Sequence, residues 1–216
     1  MAGTYTVKQG DHLSKIAKEF GFSDYHTIWD HPNNAALKQQ RSNPSVLYPG
    51  DSLFIPDRQQ RLESRNTDKL HQFQAKKPAL KLRLALEDAY EKPIANAPCI
   101  LAIGSDSRNV TTDGSGKIEQ DIPPDVHDAI LVVQDEQTPL NNTQIEIKIG
   151  DLDPVEEISG QIARLDNLGY FAGDVNQPDQ KAFESAVEEF QCDQGLTVDG
   201  ICGPVTQAKL KQVQGC

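Results

Sequence analysis

The sequence has little with which to do chemistry. Its 216 residues include one Trp and one Met, and aromatic residues make up only 6%. No apolar run approaches the ~20 residues that span a bilayer, so no transmembrane helix is expected. The opening stretch MAGTYTVKQGDH has no basic start followed by an apolar core, which predicts that it is not a secretory signal peptide. Synthesis in the cytoplasm without a leader is therefore the expectation. The four cysteines, Cys99, Cys192, Cys202 and Cys216, make no CxxC pair and have no matching histidine, which argues against a zinc site. Three of them crowd the C-terminal end, where an oxidising compartment would permit a disulfide among them. Cys99 lies in the apolar run PCILAIG and reads as a buried small hydrophobe.

Catalytic constellations are missing as well. There is no GxSxG and no Cys–His arrangement of a recognisable kind. His26 and His31 are five residues apart, which places them on different helix faces, unlike the i,i+4 pair of a zinc protease. Glu156-Glu157 and Glu188-Glu189 read as solvated helix faces. A glycosidase needs two carboxylates converging on a cleft, and modules as short as these seldom enclose one. The expectation is a binding protein, not an enzyme, with no metal and no cofactor.

Charge is plentiful, and it is uneven. The total of −11 resolves into −1 for residues 1–57, +4 for 58–79, −6 for 80–150 and −8 for 151–216. Acidic segments in the middle and at the end repel polyphosphate, so nucleic acid is an unsuitable partner. The basic stretch lacks interleaved aromatics and reads as a solvated linker, with one short strand at residues 70–74.

The first 57 residues read as strand, helix pair, strand. TYTV alternates, Gly10-Asp11 supplies a turn, and Leu13, Ile16, Ala17 and Phe20 fall at helical spacing before Gly21. A second helical stretch covers about residues 24–40, and SLFIP makes a short strand after the Tyr48-Pro49-Gly50-Asp51 turn. The core expected from this βααβ order is Val7, Leu13, Ile16, Ile28, Trp29, Leu53 and Ile55. YTVKQGDHLSKIA together with NPSVLYPGDSLFIP resembles the LysM module over residues 4–56. The resemblance implies binding of an N-acetylglucosamine-containing glycan, peptidoglycan or chitin, in a shallow groove between two loops. Those loops are Gly10, Asp11, His12 and Leu13, and Asn43, Pro44, Ser45, Val46 and Leu47. His12 stands where the family usually has a small hydroxyl residue, and the middle segment WDHPNNAALKQQR is longer than usual. An acetamido sugar calls for backbone donors and a small apolar wall, which these loops can supply. Gly10 and Asp11 equally suit a turn and helix cap with no ligand at all.

From Leu80 the runs LKLRLALED, CILAIG, GKIEQDI, AILVVQ and TQIEIKIG, separated by turn clusters, predict a small antiparallel β-sandwich over residues 80–150. The stretch KPIANAPCILAIG with TTDGSGKIEQDIPP resembles the prealbumin-like or carboxypeptidase-regulatory β-module. Such a module either spaces its neighbours or docks on a partner.

Residues 151–216 read as a three-helix bundle. Val155, Ile158, Ile162, Leu165 and Leu168 share one face, Ala182, Phe183, Ala186, Val187 and Phe190 a second, and Thr206, Ala208 and Leu210 follow Pro204. IARLDNLGYFAGDV followed by FQCDQGLTVDGICGPVTQAKL resembles the three-helix peptidoglycan-binding domain over residues 155–213. The first half of the family's repeated pattern is replaced here by GDVNQPDQ. The resemblance implies ligand contacts at Tyr170, Leu196, Thr197, Asp199, Gly200 and Thr206. Asp199, Gly200 and Gly203 equally suit a loop entering a helix.

The chain thus reads as a multidomain α+β protein attached to peptidoglycan through two modules, where linked sites gain avidity. The arrangement is also similar to accessory proteins associated with type VI secretion spikes, which would supply delivery to the periplasm or cell wall. The alternative is an adaptor that docks a spike or an effector through the LysM-like and β-modules.

Overall fold

The structure, a computed structural model, describes residues 2–59, 64–72, 80–88, 90 and 92–215. It mixes helices with antiparallel sheets, an α+β arrangement. In chain order the N-terminal elements are β1 (Gly3–Thr6), α1 (Leu13–Glu19), α2 (His26–Trp29), a 3-10 turn (Pro32–Asn34), α3 (Ala35–Gln40) and β2 (Ser52–Ile55). The middle elements are β3 (Leu80–Ala85), β4 (Pro98–Ile103), β5 (Asp106–Thr111), β6 (Lys117–Ile122), β7 (Asp128–Val133) and β8 (Gln144–Lys148). Three helices follow: α4 (Ile158–Asn167), α5 (Gln180–Asp193) and α6 (Pro204–Gln214). All seven residues expected in the N-terminal core are buried. The long helix expected over residues 24–40 is instead two short helices with a 3-10 turn between them. Pro32 is the cause, because it disfavours helical geometry at His31 and brings no N–H of its own.

Two compact units make up the chain, and neither is one continuous stretch. The first takes residues 1–3, 13–31 and 55–149, and the second 4–12, 32–54 and 150–216. In the first, β3 pairs with β6, and a four-stranded antiparallel sheet runs in the order β5-β4-β7-β8. Alternation places Cys99, Leu101 and Ile103 of β4 opposite Val133, Leu131 and Ala129 of β7, all six buried. Leu82, Ile118 and Ile122 of the smaller sheet belong to the same apolar cluster. Burial pushes the Cys99 thiol above its ordinary pKa, so Cys99 behaves as the expected core residue. Strand β5, DSRNVT, has no apolar alternation and was not expected. It forms by hairpin pairing with β4 across the two-residue loop Gly104-Ser105, with Ile103 opposite Asp106. Residues 70–72 form no strand, and 73–74 of the strand expected there lie outside the described residues.

In the second unit β1 and β2 pair, and α4, α5 and α6 close around Ile162, Leu165, Val187, Phe190 and Leu210, all fully buried. Each such side chain is worth about 1.5–3 kcal/mol in removal from water. Two residues expected on the apolar faces point out instead: Ile158 is 53% exposed and Ala208 is exposed. Val155, which was expected on the first helix, is buried but lies ahead of it. Helices α4 and α5 end alike. In α4 the Tyr170 N–H donates to the Leu165 carbonyl and the Gly169 N–H to that of Asp166. In α5 Leu196 and Gly195 do the same to Gln191 and Cys192. Gly169 and Gly195 sit in the left-handed region that this cap requires. Cys192 and Cys202 are free thiols, and Cys216, the third cysteine of the expected disulfide set, lies outside the described residues. Among the described residues no helix is long and apolar enough to cross a membrane.

A cross-strand charge cluster on the β3–β6 sheet provides a test of the first unit. The Glu119 carboxylate accepts hydrogen bonds from Lys81 and Arg83, which hold its pKa at about 2. Because the folded-state value is depressed, the stabilisation is complete above the unfolded value near 4.5 and is lost as pH falls toward 2. An NMR titration of the Glu119 side chain should therefore show a midpoint near 2. In Lys81→Met the midpoint should rise toward the ordinary carboxylate range, and an unchanged midpoint would refute the pairing.

Candidate functional site

The second unit contains the groove loops except Leu13, which opens α1 in the first unit and is buried. Of the other residues in the first loop, Gly10 adopts the left-handed conformation and Asp11 closes the turn. The Asp11 carboxylate accepts the Tyr5 hydroxyl at 2.7 Å and the Lys8 N–H at 2.9 Å. Gly10, Asp11 and His12 are all buried.

The second loop is held by a charge pair that was not anticipated. Arg41 grips Asp51 through Nε at 3.0 Å and Nη2 at 3.1 Å, with both side chains only 8% exposed. Asp51 also accepts the Tyr48 N–H at 2.9 Å, and the guanidinium lies 5.5 Å from the Tyr48 ring centroid. Hydrogen bonds to Asp51 raise the Arg41 pKa above its already high value. The backbone of Gly50 and Asp51 exchanges hydrogen bonds with Val7 at 2.9 Å, fixing the loop to the end of β1. Within the loop, Asn43 accepts the Ser45 N–H on its side chain, so residues 43–46 form a tight turn. Val46 and Leu47 are buried, Asn43 and Pro44 are half-buried, and Ser45 is exposed. Asn34 brackets β2 by donating to the Phe54 carbonyl and accepting from the Phe54 N–H, each at 2.8 Å.

A pocket open to solvent lies beside this loop. Arg41, Asn43 and Val46 line one side, and Pro154, Glu156 and Lys211 the other. Partial burial opposes ionisation of Glu156, but the Lys211 ammonium at 3.0 Å and the charge of Arg41 hold its pKa below the usual value.

In the three-helix region the expected contact residues divide sharply. Gln191 is 2% exposed and acts as a hub. Its Oε1 accepts the N–H groups of Asp199 and Gly200, at 2.9 and 3.1 Å. Its Nε2 faces Asp199 Oδ1 at 2.8 Å, and the Ile201 carbonyl and Thr206 hydroxyl at 3.1 Å. These bonds hold the Asp199 carboxylate below its ordinary pKa, with the Gln191 amide the chief cause. Asp199, Gly200 and Thr206 thus bind the loop to α5, and Gly200 and Thr206 are buried. Tyr170 is half-buried, edge-on to Phe190, and donates to Asp193 at 3.0 Å. Thr197 is exposed and Leu196 half-buried. Unexpected neighbours stand out beside them: Val198 is 52%, Ile201 65% and Val205 70% exposed. Burial pushes the nearby Cys202 thiol up to about 11. Among the described residues no group of three His, Cys, Asp or Glu side chains is placed to hold a metal ion.

Comparison with known families identifies two regions. Residues 5–29 match the LysM domain, and residues 163–210 match the family described as Putative peptidoglycan binding domain. No curated protein and no solved structure matched the chain. Both families bind the cell wall; the LysM match contains the first groove loop but ends before residues 43–47, and the second match contains the loop at residues 196–206.

The Gln191 hub leads to a direct test. Gln191→Leu keeps the volume but strands the N–H groups of Asp199 and Gly200. The full chain should lose about 2–4 kcal/mol in urea denaturation, the cost of leaving such groups unsatisfied. The Asp199 pKa should rise toward its ordinary value at the same time. A loss of stability below about 0.5 kcal/mol would show that the hub is dispensable.

Proposed function

We propose that the chain is a non-enzymatic peptidoglycan-binding protein. In this reading the C-terminal loop, residues 196–206, is its primary contact with the wall. The observation that carries this reading is the pair of family matches, one near each end. The chemistry of the loop supports it. Gln191 occupies the loop's inward polar groups, so Thr197, Val198, Ile201 and Val205 are left facing water. An exposed apolar ridge beside a hydroxyl suits a saccharide or stem peptide, whose methyl groups need an apolar wall and whose polar groups need donors. The LysM-like loops would supply a second attachment, with the gain in avidity that linked sites bring. The route to the wall is a separate proposal. The resemblance to accessory proteins of type VI secretion spikes suggests carriage by a contractile machine.

Sedimentation of the full chain with purified peptidoglycan tests this reading. The wild type should pellet with the polymer above an albumin control and release no soluble muropeptides. Ile201→Asp/Val205→Asp should weaken binding about tenfold, equivalent to ~1.4 kcal/mol, with an unchanged melting temperature. Wild-type protein that stays in the supernatant would overturn the wall-binding reading. A double variant that pellets like the wild type would move the contact away from this ridge.

A further inference from the structure

Residues 150–156 lead from the end of the β-module into α4, and within the second unit they lie against the first groove loop and line a pocket beside the second. At Gly150, φ is +90°, and a Cβ there would fall 3.0 Å from the Gly10 carbonyl oxygen and 3.2 Å from His12 Cδ2. The main chain therefore rests closely on the first loop, where a side chain would fit only if its neighbours moved by a few tenths of an ångström. One residue further, the Asp151 carbonyl accepts from Gln9 Nε2 at 3.3 Å. At the other end Pro154 and Glu156 face Asn43 and Val46 of the second loop across the pocket. The same segment is clamped from behind. Arg164 Nη1 donates to the Asp153 carbonyl at 2.7 Å, Gln161 Nε2 donates to the Val155 carbonyl at 2.8 Å, and Lys211 pairs with Glu156.

We infer that residues 150–156 occupy in cis the groove that a glycan would take. The LysM-like module is then closed in the resting chain and becomes a binding site only when this segment is displaced. The inference rests on the wall-binding reading above and adds its regulation. A tethered occupant competes at an effective concentration in the millimolar range, and a free ligand sees only the small open fraction. Burial of Gly10 and His12, the two residues that Gly150 approaches and that a working sugar groove would leave accessible, is the expected mark of such an occupant.

Amide exchange and chemical-shift titration of the full chain with the N-acetylglucosamine tetramer test this, using Gly150→Asn. Asn enters the left-handed region more readily than most residues, and its Cβ would press on the Gly10 carbonyl at 3.0 Å, so the segment must shift by a few tenths of an ångström. In the wild type the amides of residues 10–12 and 43–46 should be protected and should not shift with the tetramer. In the variant their protection should fall, and the tetramer should shift them with an apparent affinity at least tenfold higher. If Gly150→Asn does not fold, Gln9→Ala/Lys211→Ala removes two polar ties of the segment and is read the same way. Wild-type loops that shift with the tetramer as strongly as the variant's would overturn closure. An opened variant that ignores the tetramer would overturn the glycan groove. Peptidoglycan sedimentation run in parallel separates the two readings. If pelleting persists while the opened loops ignore sugar, only this inference falls, and if pelleting also fails, the wall-binding reading falls with it.

Discussion

A short loop can be buried in a small module only if its backbone groups find partners, because an unpaired buried N–H or carbonyl costs about as much as a lost hydrogen bond. In the second unit a handful of internal polar side chains meet that condition. Gln191 ties the turn at residues 199–201 to α5, and Asp51 joins Arg41 and Tyr48 to the end of β1. Asn34 completes the edge of β2, and Arg164 accounts for the carbonyls of Asp153 and Gly160. Each is a buried group whose removal would strand partners rather than merely open a cavity. For the Arg41–Asp51 pair, loss of one member would leave an uncompensated buried charge, a penalty of about 3–5 kcal/mol. Rigid loops follow, and with them a fixed choice of which atoms face the solvent.

Much of the fold was legible because it depends on apolar period and on glycine. The apolar runs of the β-module marked five of its strands, and Cys99, expected inside because it lies in the run PCILAIG, is buried in β4. Gly169 marks the end of α4 because few other residues take its conformation. Two kinds of element escaped. Strand β5 is polar along most of its length and exists because its neighbour β4 pairs with it, which is a tertiary cause. The hub residues escaped because a periodicity argument weighs apolar side chains and treats polar ones as outward. A signal was nevertheless present. Gln191 follows Val187 by four positions, and Arg164 precedes Leu168 by four, so both lie on apolar stripes where a polar side chain needs internal partners.

The candidate site was legible as loops but not as contacts. Motif spacing locates the turns correctly at both ends, yet several of the residues that make the motif recognisable serve the turn itself. Asp11 bonds Tyr5 and Lys8, while Asp199 and Thr206 bond or face Gln191. Their identity is dictated by the geometry of a tight loop. Beside them Thr197, Val198, Ile201 and Val205 are exposed. A motif of this kind therefore reports the shape of the loop more directly than its contacts.

The two loop systems consequently stand in different states of readiness. Val198, Ile201 and Val205 are exposed, whereas the first N-terminal loop lies against Gly150 and Asp151, in a segment fastened to α4 and α6. Under the proposed wall-binding reading, such an arrangement would give attachment an order. A single weak glycan in solution cannot outcompete an occupant tethered a few residues from its site, so the closed groove ignores fragments. On that reading a polymer held by the exposed C-terminal residues would present its next repeats at a raised local concentration, against which the tethered segment competes less well. Closure of this kind converts two independent contacts into a sequential pair, with the second available chiefly to a ligand long enough to have engaged the first.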